Sequence, residues 1–104
     1  MASSKDYLNF ILEQLSELEE ITYRSMMGEY IIYYRGKIAA YICDNRLLFK
    51  PVESARRLMP DALYEPPYDG AKEMLLVENT DSRKFLTELF EKSYDELPVK
   101  KGRK

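Results

Sequence analysis

Two adjacent tight bends within Met26 to Lys50, MMGEYIIYYRGKIAAYICDNRLLFK, constrain this chain more than any other feature. Arg35-Gly36 and Asp44-Asn45 each supply two loop residues between β-rich runs, and Gly, Asn and Asp are the types that tolerate positive φ in such hairpins. Arg35 is the poorer member, since a side chain at positive φ carries a steric cost. Two-residue loops fix the register by counting. Tyr34 should face Lys37, Ile32 should face Ala39, and Tyr30 should face Tyr41. Across the second bend, Cys43 should face Arg46 and Tyr41 should face Leu48.

Strand side chains alternate, so this register sorts the meander into two faces. One carries Ile31, Tyr33, Ile38, Ala40, Ile42, Leu47 and Phe49, nearly all apolar, and is expected to be the core face. The other mixes Tyr30, Ile32, Tyr34, Ala39, Tyr41, Cys43 and Leu48 with Lys37, Arg46 and Lys50. A face of tyrosines and cations is one that meets water or a partner.

Around the meander the chain reads as follows. Leu8, Ile11, Leu12, Leu15 and Leu18 recur at helical spacing, predicting a helix over 5–20 with Ser3 or Ser4 as cap. Ile21 to Ser25 reads as a short strand, and Gly28 as a turn or bulge before the next. Lys50-Pro51 ends the sheet run, because proline has no N–H for a ladder. Glu53 to Met59 predicts a short helix. Asp61 to Asp69, with Pro66-Pro67, predicts a loop holding a helical turn at 61–64. Glu73 to Glu78 reads as a last strand, and Leu86, Leu89, Phe90 and Leu97 as one face of a last helix closed by Pro98. Asn79, Thr80 and Asp81 offer caps for it. Hairpin-linked strands with helices segregated at the ends predict an α+β domain. Its antiparallel sheet should be covered on one face by the N- and C-terminal helices. Residues 1–98 are expected to form one domain, and 99–104 a basic tail.

Composition narrows the function. The 104 residues contain no histidine and no tryptophan. A serine or cysteine nucleophile therefore lacks its usual base, and a zinc site its usual nitrogen ligands. No P-loop or GxGxxG occurs. No catalytic residue, cofactor or metal ligand is assigned. Glu13, Glu17 and Glu20 share a wet helix face rather than a ligand shell. The lone cysteine, Cys43, cannot close an intramolecular disulfide, which suits a reducing, cytoplasmic compartment. Cys43 is expected to be a plain small residue in the sheet, with a pKa lowered by Arg46 opposite as the alternative. No apolar run reaches the roughly 18–20 residues of a membrane span, and no signal peptide is read at the start. The net charge of −2 hides an asymmetry, because residues 100–104 hold four of the 16 cations. The other 12 cations face 18 anions, so the body stands at −6. An acidic body opposes a broad phosphate-binding surface.

The segment Met26-Met27-Gly28-Glu29-Tyr30-Ile31-Ile32-Tyr33, the Gly36-Lys37 hairpin, Asp44-Asn45-Arg46-Leu47, the strand-ending Lys50 and Tyr68-Asp69-Gly70-Ala71-Lys72 together carry a resemblance. From Lys5 to Pro98 the chain is similar to the N-terminal domain of the TfoX/Sxy regulators of DNA-uptake competence. The resemblance implies a two-layer α-β(3)-α-β(2)-α fold like that of secretion chaperones. Met26, Met27, Gly28, Tyr30, Lys50 and Gly70 are the positions matching its motif. Met27 stands where an aromatic is usual, and Glu29 and Ile31 stand where glycines are usual. The helical C-terminal domain of the full-length regulators has no counterpart in these residues, so what they do through both domains is not carried over.

Three functions follow for testing. The first is a non-catalytic regulatory or adaptor domain that docks a protein partner through Tyr30, Ile32, Tyr34, Tyr41 and Leu48, with a homodimer through that face as a sub-case. Transcriptional control is the setting the resemblance implies. Ordinary cross-strand packing, covered by the loop around Pro66-Pro67, would explain the same residues. The second is nucleic-acid binding by the tyrosine/cation face and the basic tail, which the acidic body opposes. The third, an enzyme, has no residues to carry it.

Overall fold

A computed structural model describes residues 5–26 and 28–98. Helix α1 (Lys5–Gln14) leads to four consecutive strands, β1 (Ile21–Met26), β2 (Glu29–Tyr34), β3 (Lys37–Cys43) and β4 (Arg46–Phe49). Helix α2 (Glu53–Leu58), strands β5 (Tyr64–Glu65) and β6 (Met74–Val77), helix α3 (Arg83–Ser93) and a 3₁₀ turn (Tyr94–Glu96) complete the order. One antiparallel sheet runs β1-β2-β3-β4-β6-β5. The helices layer on one face of it, as an α+β domain of this element order requires.

Both expected bends are there. Arg35, Gly36, Asp44 and Asn45 all sit at positive φ (53°, 83°, 55° and 55°), the paired left-handed geometry that two-residue hairpins demand. Across the second bend the counted register holds, with Cys43 opposite Arg46 and Tyr41 opposite Leu48. Across the first it holds for only two pairs. Tyr34 faces Lys37 and Tyr33 faces Ile38, after which the register shifts, and Ile32 faces Ala40 instead of Ala39. Ala39 is the extra residue of a β-bulge, which places it and Ala40 together in the helix-side core, both fully buried. Two successive alanines are small enough to share one side beneath the helices.

This bulge corrects the assignment of faces. Beyond it Tyr30 faces Ile42 rather than Tyr41. Since a one-residue slip exchanges the two faces of a strand, Tyr30, Ile32 and Tyr34 join Ala40, Ile42, Leu47 and Phe49 under the helices. Ile31, Tyr33 and Ile38, expected in that core, lie on the reverse face instead. The main core is closed by Leu8 and Ile11 of α1 and Leu86, Leu89 and Phe90 of α3. The Phe49 and Phe90 rings meet edge to face at 5.1 Å, an arrangement that adds to area burial.

Three further expectations change. The first helix stops at Gln14, not Glu20, because the chain must turn back to enter β1. Leu15 donates to Ile11 and Leu12, Leu18 donates to Leu15, and Glu20 takes φ 60°. Leu15 and Leu18 are nonetheless buried, in turns rather than on a helix. At 61–64 there is no helical turn leading only into loop: Tyr64 and Glu65 form β5 against β6. The cap of α3 is Ser82, whose hydroxyl accepts from the Phe85 N–H at 3.2 Å. The residues proposed to cap α1, and the basic tail at 99–104, lie outside the described residues.

Candidate functional site

The five residues expected to form one docking face are divided by the sheet. Ile32 is fully buried, and Tyr34 is 6% exposed between Phe90 (6.1 Å) and Tyr94 (5.3 Å), with burial raising its phenol pKa. Tyr30 is half-buried on that same helix side and meets the Tyr23 ring at 5.9 Å. Tyr41 and Leu48 lie on the reverse face in a smaller cluster with Cys43 and Met74. Leu48 is fully buried. No surface displays all five together.

The covering loop that would make these residues ordinary packing is there in part: Pro67, in the segment after β5, is buried and lines the reverse face beside Tyr41 and Met74. Arg46 fastens that segment, since its Nη1 pairs with the Glu65 carboxylate, its Nη2 donates to the Pro66 carbonyl and its Nε to the Cys43 carbonyl. Cys43 is fully buried. Burial, seconded by the Glu29 carboxylate, pushes its thiol up to about 12, and the opposing pull of Arg46 does not overcome this. At neutral pH it is a packed small residue, not a thiolate.

Of the motif positions, Met26 ends β1 and pairs with Glu29, while Gly28 turns the hairpin at φ 86°. Met27 lies outside the described residues. Gly70, at φ 86°, bends the loop that approaches Lys50. Tyr41, Lys50, Pro67, Tyr68 and Lys72 line a cleft of about 300 Å³ there, with Glu73 at its rim. The Lys50 ammonium sits 5.3 Å from the Tyr41 ring centroid, and burial together with Lys72 holds it below the usual lysine range. Among the described residues, neither lysine forms an ion pair, and no cluster of acidic or cysteine side chains is arranged to hold a metal. No helix of the described residues is long and apolar enough to cross a membrane.

A second accessible feature, outside the expected docking residues, is the outer edge of β1. This strand is last in the sheet, and Thr22, Tyr23, Arg24 and Ser25 are all exposed. Its six pairs with β2 run without a bulge. Which backbone groups face outward follows from the two ends of that pairing. A two-residue hairpin closes on a hydrogen-bonded pair, here Met26 with Glu29, and hydrogen-bonded pairs alternate along an antiparallel ladder. At the far end Arg35 N–H donates to the Glu20 carbonyl at 3.0 Å, in the same alternation. The N–H and C=O groups of Ile21, Tyr23 and Ser25 therefore point away from β2, into the open edge. A signal for this was present in the sequence. In ITYRSM polar residues fall on both faces, as they do in a strand with little to cover it.

A family model described as the TfoX N-terminal domain matches residues 13–97. An uncharacterized 12.7 kDa protein in the trpE 5′ region of Spirochaeta aurantia is 29% identical over 105 residues, spanning 100% of this chain and 91% of that protein. No solved structure gives a significant match.

Proposed function

The chain belongs to the TfoX N-terminal domain family, and from that premise we propose that it is a non-catalytic regulatory domain working through protein contacts, in the setting of transcriptional control. One observation carries the mode of contact: a six-residue edge strand whose outward backbone groups at Ile21, Tyr23 and Ser25 have no partner strand among the described residues. Such an edge is a template for adding an extended segment of another polypeptide, with the backbone supplying affinity and alternate side chains selectivity. Tyr23, 43% exposed, offers the large rigid contact that interfaces favour.

The nucleic-acid reading loses its platform, because Tyr30 and Tyr34 lie beneath the helices rather than beside Tyr41. Ser25→Pro, which removes an outward N–H, tests the docking reading. Wild-type and variant baits, both checked for folding by circular dichroism, are compared by quantitative mass spectrometry of proteins retained from the native cell. Loss of specific partners with the variant is expected. Equal recovery of every partner by both baits overturns the edge as the contact.

A further inference from the structure

We infer that one partner for this edge is β1 of a second copy of the chain, paired antiparallel about a two-fold axis through Tyr23. The inference rests on the reading of β1 as a protein-binding edge and adds the identity of the partner.

Register complementarity is what selects this occupant. When two strands pair antiparallel about an axis perpendicular to the sheet, residues directly opposite share a face. The axis must then pass through a residue, not between two. Centred on Tyr23, the pairing sets Ile21 against Ser25 of the second copy and Ser25 against its Ile21. All the outward-pointing residues then meet outward-pointing residues, giving about six backbone hydrogen bonds. Centred on Arg24, two guanidinium groups would stand opposite each other, which is destabilising. Centred on Thr22, Ser25 would have no partner within β1. Of the three, only the Tyr23 register both completes the ladder and sets no like charges directly opposite each other.

The side chains fit the same register. Tyr23 meets Tyr30 edge to face at 5.9 Å, so pairing Tyr23 with its symmetry mate would extend that contact into a row of four rings across the axis. On the reverse face Thr22 falls opposite Arg24 of the second copy, a hydroxyl within reach of a guanidinium donor. Helices do not block the approach, because Tyr23 and Ser25, on the helix side of β1, are both exposed. The result is one continuous sheet across two copies with the helices of both on one side. A contact of one strand pair is small, so the dimer should be concentration-dependent, with a Kd on the order of micromolar or weaker.

The experiment is sedimentation velocity from low micromolar to millimolar chain, using wild type, Tyr23→Lys, Tyr23→Glu and an equimolar mixture of the two variants. Wild type should move from monomer toward dimer as concentration rises. Each variant places like charges together at the axis and should weaken association by about tenfold or more. The mixture places lysine against glutamate and should recover association to within a few-fold of wild type. That recovery requires residue 23 of one copy to stand beside residue 23 of the other across the edge. Wild type monomeric throughout, a dimer indifferent to both variants, or weakened variants without recovery on mixing each overturns the inference. A monomeric wild type whose partner binding is still lost in Ser25→Pro would sink self-pairing alone and leave the docking role standing.

Discussion

The two edges of the sheet are built on opposite plans. At the β5 edge the strand is two residues long, and Pro66-Pro67 follows at once. Arg46 holds Glu65 and Pro66 in place. At the β1 edge six residues run in unbroken register, with no proline, no lysine and a single charge, Arg24. Short length, proline, lysine and bulges are the usual ways an edge is kept from pairing with another chain. The β5 edge uses two of them, and the β1 edge has only the charge of Arg24 against pairing. The contrast teaches that this sheet is finished on one side and extendable on the other. The segment that finishes it also lines the reverse face beside Tyr41 and Met74, while the extendable side is left to Tyr23 and its neighbours.

Perturbing each side in turn sharpens or breaks this contrast. The largest effect belongs to the finished side. Leu48→Ala leaves a cavity between Cys43 and Met74, and should lower unfolding free energy by about 2–4 kcal/mol in urea titration. A loss below about 1 kcal/mol would mean that the reverse face is not packed. Arg46→Ala removes the fastening of the 65–67 segment and should cost about 1–2 kcal/mol. The segment should also become more sensitive to limited proteolysis, with sedimentation unchanged. A change in association state would instead link the two edges.

A smaller effect is expected from Cys43 as pH rises. Its folded pKa is raised from 9.0 to about 12. Its contribution to stability is therefore complete below about pH 9, and declines as pH climbs toward 12, where the unfolded chain carries the thiolate and the folded one does not. Cys43→Ser provides the comparison in alkaline denaturation, and iodoacetamide at pH 8 should label the native protein far more slowly than the urea-unfolded one. Fast native labelling would show an accessible thiolate. The smallest effect is on the open side. Thr22→Ala should change stability by no more than about 0.5 kcal/mol. In dilute solution the amides of Ile21, Tyr23 and Ser25 should exchange hydrogen faster than those of Thr22, Arg24 and Met26. Uniform protection along β1 at low concentration would mean that something already covers it.

Part of the molecule was legible residue by residue. Asp44-Asn45 and Arg35-Gly36 named both hairpins, because few residue types tolerate the positive φ such loops need. Leu8 and Ile11, and Leu86, Leu89 and Phe90, named the helix faces that close the core. The docking residues were not legible from the same pattern. Alternation along an unbroken ladder sets Tyr30, Ile32 and Tyr34 beside Tyr41, and the ladder is broken at Ala39. Nothing in the run of Ile38, Ala39 and Ala40 announces an extra residue.

The sequence by itself determined the element types, the two bends and the amphipathic helices, since each depends on dihedral preference or spacing within a few residues. Only the tertiary structure decided which way β2 faces. Its side is set by one bulged residue, Ala39, and by which face the helices of both ends can cover most completely. That choice is made by packing between segments distant in the chain, and local alternation reads equally well either way up.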